Sequence, residues 1–146
     1  MCERDIKFAV GTYTVLGGEG VLIYSLNPRT LQTECLGRQR VENPSFLCAS
    51  PSGGHVYAVN ESGSRSGVHH LAVDENGALT ACQTVASGAG PCHILWLSTR
   101  TLCISNYSGG SVELFDIAAD GSLSASAQTL TFHECGTSPR QQSSHI

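Results

Sequence analysis

Near the C-terminal end of the sequence, the stretch Arg140-Gln-Gln-Ser-Ser-His145 sets a guanidinium and an imidazole close together. Arg140 is a planar, permanently charged fork that can grip a phosphate or carboxylate through two hydrogen bonds. His145 titrates near neutrality when unperturbed, which suits a general base. A second imidazole, His93, follows Pro91 and Cys92 at the start of an apolar run and can donate to a substrate oxygen. An anion holder, a base and a donor are the parts that water attack on a carbonyl needs. Each residue also has a plainer reading. Arg140 suits a surface salt bridge or a polar tail, His145 a mobile residue one place from the end, and His93 a bond to neighbouring backbone.

Other motifs carry less. Gly17-Gly-Glu-Gly20 is glycine-rich but has no following helix or lysine, so it reads as a loop and not as a phosphate cradle. His69 and His70 are adjacent, and neighbours on a strand point to opposite faces, which is poor geometry for holding one metal ion. The seven cysteines are widely spaced and form no C-x-x-C pair, so the expectation is buried small hydrophobes in a reducing compartment, with no metal and no cofactor. Asn-Glu-Ser (60–62) and Asn-Tyr-Ser (106–108) match glycosylation acceptors, which mean nothing without secretion.

The net charge of −4 and the scattered Lys and Arg residues argue against a nucleic-acid or anionic-membrane partner. The N-terminal stretch resembles neither a signal peptide nor an anchor, and no apolar run approaches the length of a membrane span. A cytoplasmic protein is expected.

The elements that must position these residues are strands. FAVGTY, GVLIYSL, HVYAVN, TLCISN and SVELFDI alternate with Gly, Asn, Asp, Pro and Ser clusters, and no window keeps a helical period. Asn-Gly and Asp-Gly steps at 76–77 and 120–121 accept the positive φ of tight hairpins and point to antiparallel neighbours. An internal repeat then narrows the architecture. Residues 43–62 return at 90–108, with Pro44 matching Pro91 and Asn60 matching Asn106, a period of 46 to 47 residues. Residues 67–80 match 111–124, and 20–33 supply a first, partial copy. A period near 45 residues holding about four short strands is that of a β-propeller blade. The expectation is an all-β chain of four-stranded antiparallel blades, about three of them, in an incomplete ring. The copies lie near 7–42, 43–89 and 90–137, and 138–146 begin a further blade of one apparently truncated domain.

With the repeat in place, VGTYTVLGGEGVLIYSL (10–26), NPSFLCASPSGGHVYAVNE (43–61) and GPCHILWLSTRTLCISNYSGGSVELFDIAADGSL (90–123) together resemble the opening blades of the seven-bladed β-propeller lactonase family, typified by propeller-type 6-phosphogluconolactonases. In that family an R-Q-x-x-P-H-x-H segment opens the fourth blade. Here Arg140, Gln141 and His145 keep their places, Ser144 stands where the proline does, and the chain stops before the second histidine. The full family propeller is more than twice this length.

The resemblance implies hydrolysis of a sugar-acid lactone, 6-phosphogluconolactone to 6-phosphogluconate in the pentose phosphate pathway, with a phosphorylated sugar lactone as partner. It also admits a lactonising enzyme of the carboxymuconate-cyclising kind. It sets His93 and His145 as catalytic candidates and Arg140, Asn106, Tyr107 and Glu61 as substrate-binding candidates on or near the channel surface, with Asn60 beside them. Asn60 and Asn106 share one repeat position where a strand turns, which also suits side-chain bonding that holds the turn. Glu61 and Tyr107 share the next position and differ chemically. Two non-enzymatic readings compete: a propeller-derived binding or assembly module, and an inactive fragment. Three blades leave two faces open, so self-association through those faces is expected of an isolated chain.

Overall fold

The computed structural model describes residues 4–61, 66–139, 141 and 144–146. Eleven strands form three antiparallel sheets. The first holds β1 (Ile6–Thr12), β2 (Gly20–Leu26) and β3 (Thr33–Gln39), with a 3-10 turn at Thr14–Leu16 between the first two. The second holds β4 (Pro44–Ala49), β5 (His55–Asn60), β6 (Gly67–Val73) and β7 (Leu79–Ala86). The third holds β8 (Pro91–Ser98), β9 (Thr101–Asn106), β10 (Ser111–Ile117) and β11 (Leu123–Thr131). Within each sheet, strand order follows chain order. The all-β expectation and the antiparallel blades are what the structure has.

By the internal repeat, β2 corresponds to β6 and β10, so β1 corresponds to β5 and β9. Among the described residues the first blade has no counterpart of β4 and β8, and β1 pairs with β2 alone.

Side chains two apart on a strand share a face, and β5 uses both of its faces. Val56 and Ala58 join Val21, Ile23, Leu71 and Leu79 in the core between blades 1 and 2. Tyr57 and Val59 join Val68, Ile94, Leu102, Ile104, Phe115 and Ile117 in the core between blades 2 and 3. Burying such side chains contributes on the order of 1.5–3 kcal/mol each before chain entropy is counted, so each blade depends on its neighbours for its stability.

The hairpins joining the last two strands of each blade are built by side-chain acceptors. Asp74 Oδ1 receives the Asn76 and Ala78 amides (2.9 and 2.8 Å), and Gly77 then takes φ +88°. Asn27 Oδ1 receives the Arg29 and Thr30 amides (both 3.0 Å), and Asp120 Oδ1 receives that of Ser122 (2.9 Å). These Asx contacts close the turns locally, and the buried Tyr57 hydroxyl adds a bond from the core to the Gly121 carbonyl (2.7 Å).

Candidate functional site

The strand starts Pro44 and Pro91 lie at the same end of the sheets as the strand ends Thr12, Asn60 and Asn106, as the pairings Pro44 with Asn60 and Pro91 with Asn106 show. Every candidate residue among the described ones belongs to this end. Glu61 follows β5, Tyr107 follows β9, and His93 is in the first turn of the pleat of β8.

The loops before the inner strands are held from below. Asn106 is fully buried; its Nδ2 donates to Ser111 Oγ (3.1 Å) and Glu113 Oε2 (3.0 Å), and its Oδ1 has no hydrogen-bond partner among the described residues. The same Glu113 oxygen accepts the Gly88 amide at 2.7 Å. One carboxylate thus fixes both the turn after β9 and the loop that leads to Pro91 and His93. In blade 2 the equivalent strand position is His69, whose Nε2 lies 3.0 Å from the Glu42 carbonyl while its Nδ1 lies 3.0 Å from Thr84 Oγ1. A donor in one blade and an acceptor in the next perform the same task on the loop before the inner strand. Asn106 is therefore a turn-holding residue in this geometry, away from solvent.

Asn43, directly before Pro44, adds a third tie. It is buried at φ +39°; its Oδ1 accepts the Val15 amide (3.0 Å) and its own amide donates to Thr14 Oγ1 (3.2 Å). The Asn-Pro step was visible in the sequence, but its partner in the 3-10 turn was not. Glu113 could have been found from its equivalence to His69 in the repeat.

The remaining candidates fall into pairs. His93 packs its ring against Phe46 of blade 2, centroids 4.5 Å apart and tilted. Glu61 is exposed and accepts a hydrogen bond from Tyr13 Oη at 3.3 Å; burial, then the Glu61 charge, raise the Tyr13 phenol above its ordinary value. Tyr107 is half-exposed and lies against the His145 ring, centroids 4.2 Å apart. The two histidine-bearing stretches run side by side, since Cys92 Sγ donates to the Ile146 carbonyl (3.5 Å). A cavity of about 390 Å³ beside them is lined by Phe132, Glu134, Gln141, Ser144 and His145. Arg140 lies outside the described residues.

Such a surface can present an imidazole, a carboxylate and a phenol to a polar ligand. It holds no group of three or more metal-ligating side chains among the described residues. The six described cysteines are free, and burial pushes the Cys48 thiol up to about 12. No helix among the described residues is long and apolar enough to cross a membrane.

Residues 7–146 match the profile of the family described as "Lactonase, 7-bladed beta-propeller". A 6-phosphogluconolactonase of Bacillus subtilis is 26% identical over 140 residues, which are 93% of this chain and 40% of that protein. A candidate 6-phosphogluconolactonase of Bacteroides uniformis superposes with a TM-score of 0.89 at 31% identity, over 99% of this chain and 43% of that one. A periplasmic gluconolactonase of Pseudomonas aeruginosa gives 0.85 at 28%, over 97% and 42%. The chain spans about two fifths of the curated relatives that it matches.

Proposed function

Because the chain belongs to the seven-bladed β-propeller lactonase family, we propose that it contributes the first blades of a lactone-hydrolysing surface whose substrate is a phosphorylated sugar lactone of the 6-phosphogluconolactone type. The observation that carries this reading is the match of residues 7–146, in order and nearly end to end, to that family. Relatives that it matches include proteins named 6-phosphogluconolactonase and one named a periplasmic gluconolactonase. In the reaction, water oxygen adds to the ring carbonyl carbon, the bond from that carbon to the ring oxygen breaks, and the ring oxygen takes up a proton. His145 serves as the base for the water and His93 as a donor to a substrate oxygen. Arg140 pairs with the phosphate, with Tyr107 and Glu61 beside it. The product acid belongs to the pentose phosphate route, and the free cysteines suit a cytoplasmic setting.

The test is lactone opening followed by acid release. The chain should open 6-phosphogluconolactone faster than water alone, and Arg140→Ala and His93→Ala should each remove most of the excess. A folded sample with no excess rate would overturn the assignment for this chain. One observation favours a second reading, an assembly module: large apolar side chains are exposed on the outward faces of blades 1 and 3.

A further inference from the structure

The inner strands of blades 2 and 3 begin alike. Pro44 and Pro91 are both buried at the strand start, and proline fixes φ there without needing a hydrogen bond. In the stretch that follows blade 3, residue 144 is a serine. Ser144 is buried, 9% exposed. Its hydroxyl is fully engaged: Oγ accepts the Glu134 amide at 2.9 Å and donates to the Glu134 carbonyl at 2.8 Å. Proline can make neither bond. The Gly136 amide donates to the Gln141 carbonyl (3.2 Å). Ser144 itself lies over Gly110, where a Cβ would stand 2.6 Å from the Ser144 carbonyl oxygen and φ is +55°. Beyond Ser144 the His145 ring meets Tyr107, and the Ile146 carbonyl meets Cys92.

We infer that Ser144 is the positioning residue of His145: its two bonds to the Glu134 backbone anchor the segment that follows blade 3 and seat the imidazole against Tyr107. A single hydroxyl bonded in both directions to one backbone residue fixes translation and rotation of the segment together. The adjacent ring contact then sets the imidazole plane. Tyr107 also orients His145 in this arrangement. The inference rests on the role given to His145 above, but its geometry does not.

The ring protons of His145 report the contact, because an aromatic ring 4.2 Å away shifts them from their free-histidine positions. In proton NMR of the full chain we expect displaced His145 resonances. Tyr107→Leu should abolish the displacement, Ser144→Ala should reduce it by at least half, and Ser144→Thr, which keeps the hydroxyl, should restore it. Glu134→Pro, outside any strand, removes the donated amide from the other side and should act like Ser144→Ala if that variant fails to fold. His145 at free-histidine positions in the unaltered chain would overturn the inference. So would a displacement that Ser144→Ala and Glu134→Pro both leave unchanged. The readout needs no substrate: displaced resonances without lactone opening would sink the proposed function alone, and lactone opening with undisplaced resonances would sink the positioning role alone.

Discussion

His70 is the clearest case of one residue bearing on the whole fold. It is buried on the blade 3 side of β6, stacked on Tyr57 with centroids 5.0 Å apart, and its Nε2 lies 3.0 Å from His55 Nδ1. Its own Nδ1 is buried with no hydrogen-bond partner among the described residues. A bare lone pair is cheaper to bury there than an N–H, which assigns the proton to Nε2 and makes His55 the acceptor. Burial first, then the neighbouring His55, hold the His70 pKa below the usual imidazole range against a weaker pull from Asp120. Burial does the same at His69, opposed by the Glu42 carbonyl. An unfolded histidine titrates near about 6.5, so below that pH the unfolded chain binds protons that the folded chain refuses, and stability rises with pH. The contribution of both imidazoles should be complete above about 6.5 and fall as pH drops toward their lowered folded values. Urea midpoints should therefore be higher at about pH 7.5 than at about pH 5.5. His70→Gln should narrow that gap, and a midpoint flat across the window would contradict the assignment.

Among the elements, the contact between β3 and the β6–β7 hairpin is a close approach of two blades. Gly37 stands where a Cβ would strike the Gly77 carbonyl oxygen, and a Cβ on Gly77 would meet Leu36 at 2.7 Å. Backbone opposite backbone has little room to give. Gly37→Ala should cost about 1–3 kcal/mol, read from the urea midpoint. Gly54→Ala, whose Cβ would meet only Ser52 Oγ at 3.7 Å, should be near neutral, and equal effects would place the cost elsewhere. Neither glycine announces this in the sequence, because the contact joins separate blades. The strands themselves were legible: GVLIYSL, HVYAVN, TLCISN and SVELFDI are β2, β5, β9 and β10 to the residue, since strands packed between neighbours must be rich in branched and aromatic residues. The outer strands β3, β7 and β11 give no such run; eight of nine residues of β11 lie outside the core, so only pairing to β10 reveals it. At the candidate site, residue types and repeat position pointed to His93, Tyr107 and Glu61. The loop-holding roles of Glu113, Asn43 and Ser144 depend on backbone groups that a sequence does not show.

For the whole molecule, what decides behaviour is the pair of outward faces. On β8, Ile94 and Trp96 turn toward blade 2, which sends Leu95 and Leu97 the other way, 40% and 60% exposed. Leu130 of β11 pairs with Val112 and lies on the same outward side, 45% exposed. On blade 1, Ala9 faces the core, so Ile6 and Phe8 point outward, 52% and 39% exposed, and β1 offers an edge with no partner strand among the described residues. Open apolar faces mark interfaces, and an unpaired edge offers hydrogen bonds to another strand. Residues 1–146 on their own should therefore associate as concentration rises, measured by sedimentation velocity. Leu97→Lys combined with Leu130→Glu separates the two routes, because it charges the blade 3 face and leaves the β1 edge as it was. Loss of association would assign contact to the blade 3 face, and unchanged association would assign it to blade 1, through its outward face or the β1 edge. A monodisperse monomer at high concentration that melts cooperatively would contradict both, and would mean that three blades satisfy their outer faces without a partner.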